Sequence, residues 1–170
     1  MSLHGIHTID TAFHRDHFDA AYLVVEEGRG AFVDCGTNHS VPRLLEAVQA
    51  VGLTPADIEF VIVTHVHLDH AGGTGLLLQQ LPNATVIAHP RAAPHLIYPA
   101  RLVEGATAVY GEEEIQRSYG TVQPVPKERV RIAADGEAVM LAERPLLCVD
   151  TPGHARHHHC IWDARSRCWF

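Results

Sequence analysis

The sequence lacks any apolar run long enough to cross a bilayer as a helix. It also lacks the basic segment and apolar core of a secretory signal, so no membrane partner is expected and the expected location is the cytoplasm. Its four cysteines, Cys35, Cys148, Cys160 and Cys168, form no C-x-x-C pair. They read as reduced thiols, each a buried small side chain. No stripe of Lys and Arg accompanies the net charge of −7, so no nucleic-acid partner is expected. No internal repeat or low-complexity linker divides the chain.

What is present is a chain of 170 residues, 46% of them hydrophobic, enough for one domain with its own core. It carries 14 histidines, unevenly spread. The densest chemistry follows Val61-Ile62-Val63, an apolar β-branched run that reads as a buried strand. Directly after it come His65, His67, Asp69 and His70, then Gly72 and Gly73. At a strand end, residues i and i+2 project to one side, so His65 and His67 can meet one metal ion. A turn after Leu68 directs Asp69 and His70 toward a second ion, and the glycines allow close passage of the backbone. Imidazole and carboxylate donors suit zinc, iron, manganese or nickel. The alternative, four polar residues in a solvated loop, fits a lone His pair better than this density after a buried strand.

The stretch Thr64-His65-Val66-His67-Leu68-Asp69-His70 resembles the H-x-H-x-D-H signature of metallo-β-lactamase fold hydrolases, in particular the glyoxalase II and lactonase-like branch. The resemblance implies an α/β (α+β) chain folded as an αββα sandwich. It places His65 and His67 at one metal site and Asp69 and His70 at a second. Leu146-Leu147-Cys148-Val149 reads as another buried strand leading into Asp150-Thr151-Pro152-Gly153-His154. This resembles the family's T-P-G-H motif, whose His154 would complete the first site. The implied cofactors are two divalent metal ions, zinc ahead of iron or manganese. Asp34-Cys35-Gly36-Thr37 resembles the family's early Asp-x-Gly motif, in which the Asp supports the metal loop without binding metal. His158 falls where glyoxalase II-like members carry a further His, giving either a pocket role or a polar strand start. The family's bridging Asp and final His have no counterpart before Cys168-Trp169-Phe170. The expectation is therefore a single domain over 1–170, incomplete at its C-terminus.

Elsewhere, His7–Asp10, Ala21–Val25 and Ala31–Asp34 read as strands, with Gly28-Arg29-Gly30 as a hairpin turn. Ser40 is a candidate N-cap for a helix carrying Leu44, Leu45, Val48 and Val51. Leu76–Leu81 reads as a helix beneath the metal loop and Thr85–Ala88 as a strand. His89, alone beyond that strand, reads as a surface or hydrogen-bonded residue. The stretch 95–126 reads as a helical insertion shaping a substrate pocket, which Tyr98, Tyr110 and Tyr119 could line, with packing the favoured role for each. Asp135-Gly136 reads as a hairpin turn between Arg129–Ile132 and Ala138–Leu141. A final hairpin joins Cys160–Trp162 to Cys168–Phe170.

The resemblance implies attack by a metal-activated hydroxide, with Asp69 as the catalytic residue that orients the nucleophile, on a small ester, thioester or lactone. A mononuclear iron persulfide dioxygenase is the second reading, and a non-catalytic metal-binding or interaction protein on the same fold the third.

Overall fold

Antiparallel pairing builds the first part of the chain. In the structure, a computed structural model describing residues 4–170, β1 (His4–Asp10), β2 (Ala20–Glu26) and β3 (Arg29–Val33) form a meander. Glu27 and Gly28 close its second turn, both with positive φ, as a tight two-residue hairpin requires. Beyond β3 the pairing becomes parallel, through β4 (Ile58–Val63), β5 (Thr85–Ala88) and β6 (Val130–Ile132). The six strands lie side by side in chain order.

Parallel strands need crossovers, and helices supply them. These are α1 (Val41–Ala50) after β3, then α2 (Leu68–Ala71) and α3 (Thr74–Gln80) after β4. Three more, α4 (Ala93–Ile97), α5 (Ala100–Tyr110) and α6 (Glu112–Tyr119), fill the connection from β5 to β6. The second sheet is antiparallel and contains β7 (Ala138–Leu141), β8 (Arg144–Asp150), β9 (His159–Asp163) and β10 (Cys168–Trp169).

The unbroken apolar run in β4 follows from burial on both faces. Val61 and Val63 join Leu44, Val48, Leu77 and Leu78 in a core between the first sheet and its helices. Ile62 points the other way, with Val24 and Val33, to meet Val139, Leu146 and Ile161 of the second sheet. The helical, first-sheet and second-sheet layers of the expected sandwich are thus in place. On the outer face of the second sheet Trp162 and Trp169 pack at 4.9 Å between ring centroids. No helix among the described residues is long and apolar enough to cross a membrane.

A buried ionic knot ties the sheets together. Arg144 of β8 is 2% exposed and bonds Asp163 of β9, Glu26 of β2 and the Val25 carbonyl. Arg165 also bonds Glu26, so both buried carboxylates face guanidinium groups. Burial would raise the Asp163 carboxyl; bonds from Arg144 and Ser166 outweigh it and hold the pKa below its ordinary value.

Three expectations are corrected. Asp135-Gly136 is not a hairpin turn: β6 pairs with β5 in the first sheet and β7 with β8 in the second, so the turn carries the chain between sheets. Ser40 stands at the N-cap of α1 without capping it; its hydroxyl bonds the Thr11 carbonyl and the Thr37 N–H instead. Cys35 and Cys148 are buried, whereas Cys160 and Cys168 are half-exposed; all four are free.

Candidate metal centre

β4 ends at Val63, and the chain leaves the sheet through Thr64, His65 and Val66 until His67, itself extended, opens the single turn of α2. That path places the His65 and His67 rings 4.7 Å apart. His154 arrives from the β8–β9 loop, its ring 4.9 Å from His65 and 4.8 Å from His67. One ligand atom from each of the three lies within 4.8 Å of the other two. β9 is docked onto the end of β4 by two bonds that hold this loop in position. The His159 N–H donates to the Thr64 carbonyl, and the His159 ring to the Val63 carbonyl.

The donor atoms point inward. His65 is 3% exposed and its Nε2 is buried with no hydrogen-bond partner. His67 Nδ1 faces His154 Nε2 at 3.0 Å. Burial, reinforced by the neighbouring imidazoles, pushes the His65 pKa down to about 2. His65 is therefore neutral at physiological pH, with a lone pair available. Burial likewise lowers His67. An unpartnered buried nitrogen facing two further imidazole nitrogens is the donor set a divalent ion such as zinc accepts.

Asp34 organises this set from behind. It follows β3 with φ of 58°, the left-handed region that Asp tolerates better than most residues. Its Oδ1 accepts the Thr64 N–H at 2.8 Å, and its Oδ2 accepts the Thr64 hydroxyl at 2.8 Å. Having donated its proton, the Thr64 oxygen accepts from His65 Nδ1 at 3.0 Å, which leaves His65 Nε2 as the lone-pair nitrogen. Asp34 Oδ2 also accepts from His70 Nδ1 at 3.0 Å, directing His70 Nε2 outward. One carboxylate thus fixes two imidazole tautomers. Burial pulls the His70 pKa down, but the bond and charge of Asp34 outweigh it and raise the value to about 9.

Asp69 and His70 stand beside the trio, with Asp69 Oδ2 3.7 Å from His70 Nε2 and the His70 ring 4.3 Å from His65. The loop closes because Gly73 passes so near Thr37 that an added Cβ would lie 2.5 Å from its carbonyl oxygen. The Cys35 and Gly36 N–H groups both donate to the His70 carbonyl. His158 lies 5.1 Å from His65, with Nδ1 bonded to the Thr151 hydroxyl, so its ring borders the site and β9 begins one residue later. His89 is buried and hydrogen-bonded, between the Arg91 N–H and Asp150.

Two groups near the centre carried no readable sequence signal. Thr64 stands in the quoted motif, yet its relay role emerges only once Asp34 is alongside. Asp19, at the end of the β1–β2 loop, lines a cleft of about 810 Å³ shared with Asp34, His65, His70 and His158. Burial raises its pKa against the hydroxyl bond from Thr11.

Comparisons with known proteins identify the family and the fold. The sequence profile of the Metallo-beta-lactamase superfamily matches residues 15–170, and the chain belongs to that family. The chain is 25% identical over 146 residues to YobT, an uncharacterized protein of Bacillus subtilis, covering 85% of this chain and 57% of that protein. It is 27% identical over 140 residues to a hydroxyacylglutathione hydrolase of Salmonella typhi, covering 82% and 41%. With an N-acyl homoserine lactonase, AttM of Rhizobium radiobacter, identity is 25% over 117 residues, covering 69% and 40%. Among solved structures, the Rm3 metallo-beta-lactamase superposes with a TM-score of 0.71 at 24% identity, covering 95% of this chain and 54% of that one. The chain spans about half the length of these relatives.

Proposed function

We propose that the protein is a metal-dependent hydrolase of a small ester, thioester or lactone. His65, His67 and His154 hold one divalent ion, zinc ahead of iron or manganese, and Asp69 with His70 help hold a second. The observation that carries this reading is the buried, unpartnered His65 Nε2 beside the facing nitrogens of His67 and His154. A buried polar atom without a partner costs about 1–3 kcal/mol, and a ligated ion relieves that cost. A lactonase and a hydroxyacylglutathione hydrolase among the similar proteins support a carbonyl substrate.

A divalent ion held there supplies Lewis acidity and brings the pKa of water near seven. The remaining work falls to the chain itself. Asp34, through Thr64, keeps the His65 proton on Nδ1 and so keeps its inner nitrogen bare. Asp69, half-exposed at the mouth, orients the attacking water and accepts its proton as the new C–O bond forms. The same carboxyl returns that proton to the departing alkoxide or thiolate. The substrate is a small molecule, and four free cysteines support a reducing compartment, the cytoplasm.

Native mass spectrometry with metal analysis, followed by an ester, thioester and lactone panel, tests the reading. Bound zinc with turnover is expected, both lost when His65 and His67 are replaced together by Ala. Unchanged metal content in that variant refutes the site. A single iron with oxygen consumption on a persulfide assigns the dioxygenase chemistry instead, and bound metal without turnover leaves a non-catalytic protein.

A further inference from the structure

A second cleft, of about 800 Å³, borders the histidine cluster, with His67, Asp69 and His154 at its metal end. Its other walls are mostly apolar. Phe13 and Phe18 come from the β1–β2 loop, and Leu102, Ala106, Tyr110 and Tyr119 from α5 and α6. Phe13 and Tyr119 pack at 5.4 Å between centroids and anchor a small core of their own with Leu68 and Ile115. Phe18 and Tyr110 are left 52% and 59% exposed, as apolar surface facing the cleft.

A further observation marks this cleft as more than a packing gap, and another shows where to probe it. The loop presenting Phe13 and Phe18 holds Ala12, His14 and His17 at φ of 52°, 58° and 57°. Side-chain-bearing residues adopt that conformation only at a cost, and such strain gathers at ligand-binding segments. On the facing helix, Gly105 lines the cleft, and a Cβ added there meets nothing within 4 Å. The position is exposed at the cleft rim, so a larger side chain can be introduced there without displacing a neighbour.

We infer that this cleft is a specificity pocket for an apolar group, a medium-length alkyl or aromatic acyl chain attached to the reacting carbonyl. The inference rests on the hydrolase reading for the reaction but not for the pocket. The volume lies within the range of small-ligand pockets. Each methylene buried against these side chains is worth about a fourfold gain in affinity or in kcat/KM.

The test uses p-nitrophenyl acetate and octanoate as substrates, and acetate and octanoate as ligands in calorimetry with both zinc-loaded and zinc-free protein. Expected are an octanoate-to-acetate kcat/KM ratio of about tenfold or more and a matching preference in binding, with or without zinc. Gly105→Trp fills the cleft and brings both ratios toward one. Glu104→Trp, on the opposite side of α5, leaves them as in the wild type. Hydrolysis with no chain-length preference, or ratios indifferent to Gly105→Trp, overturns the pocket and leaves the hydrolase reading standing. Octanoate binding that is lost in Gly105→Trp, with no ester hydrolysed, upholds the pocket and removes the hydrolase reading.

Discussion

Asp34→Asn isolates the device on which the centre depends. The residue is 6% exposed at φ of 58°. Asn tolerates that backbone, whereas Ala would add a left-handed penalty of about 1–2 kcal/mol unrelated to the site. The Asn oxygen replaces Oδ1 against the Thr64 N–H, which puts its NH₂ group against His70 Nδ1, where a carboxylate oxygen now stands at 3.0 Å. An amide donor there holds the imidazole in the other tautomer, with the proton on Nε2, the nitrogen nearest Asp69. Loss of such a supporting partner costs about 10–100-fold in metal affinity. The Thr64 hydroxyl keeps an acceptor in the oxygen at the Oδ1 position, 3.0 Å away, so under the two-ion proposal the expected loss falls on the ion at Asp69 and His70, with the ion at His65, His67 and His154 retained.

The measurement belongs at pH 9. In the wild type, Asp34 overcomes burial and raises His70 to about 9, above the ordinary imidazole value, so at pH 7 a proton already competes for this nitrogen. At pH 9 that competition is only about twofold, and the tautomer effect stands alone. The raised value also means that His70 stabilises the metal-free fold fully below about pH 6.5, with that contribution lost as pH rises through about 9. Unfolding of metal-free Asp34→Asn therefore loses this alkaline decline. Wild-type metal number and zinc affinity in the variant at pH 9 would falsify the tautomer argument.

Two further outcomes concern stability. Arg144→Met leaves the buried Glu26 and Asp163 carboxylates without their shared partner and is expected to cost about 3–5 kcal/mol in urea unfolding at pH 7. Because the Asp163 pKa is depressed on folding, its contribution is complete above about pH 4 and is lost as pH falls through the folded value. Asp163→Asn should therefore lose stability at pH 7 and flatten the acid limb; an unchanged limb would show that other carboxylates govern it. Gly73→Ala drives a methyl toward the Thr37 carbonyl and is expected to cost about 1–3 kcal/mol and to weaken zinc binding. A wild-type Tm in that variant would mean that the loop yields freely.

The centre was legible in the sequence where its information is local. His65, His67, Asp69 and His70 sit within six positions, and their strand-exit geometry follows from backbone periodicity. His154 was readable because a buried strand and a Pro-Gly turn precede it. The relay through Thr64 was not, since it exists only because parallel pairing of Val33 with Ile62 brings the ends of β3 and β4 together. Asp135-Gly136 shows the converse: its residues specify a turn, but β6 is claimed by β5, far back in sequence, while β7 pairs with the strand that follows it, β8. Phe13 and Phe18 gave no signal because their cleft arises where a loop meets helices some ninety residues on.

The seam between the two sheets passes through the centre. His65 and His67 hang from β4 in the first sheet, and His154 from the β8–β9 loop in the second. An ion held by all three would act as a long-range rivet on the folded state, joining residues 87 positions apart in the chain. Escape of the ion and slippage of one sheet over the other then become a single opening event. Amide exchange in β8 and β9 becomes a gauge of metal occupancy.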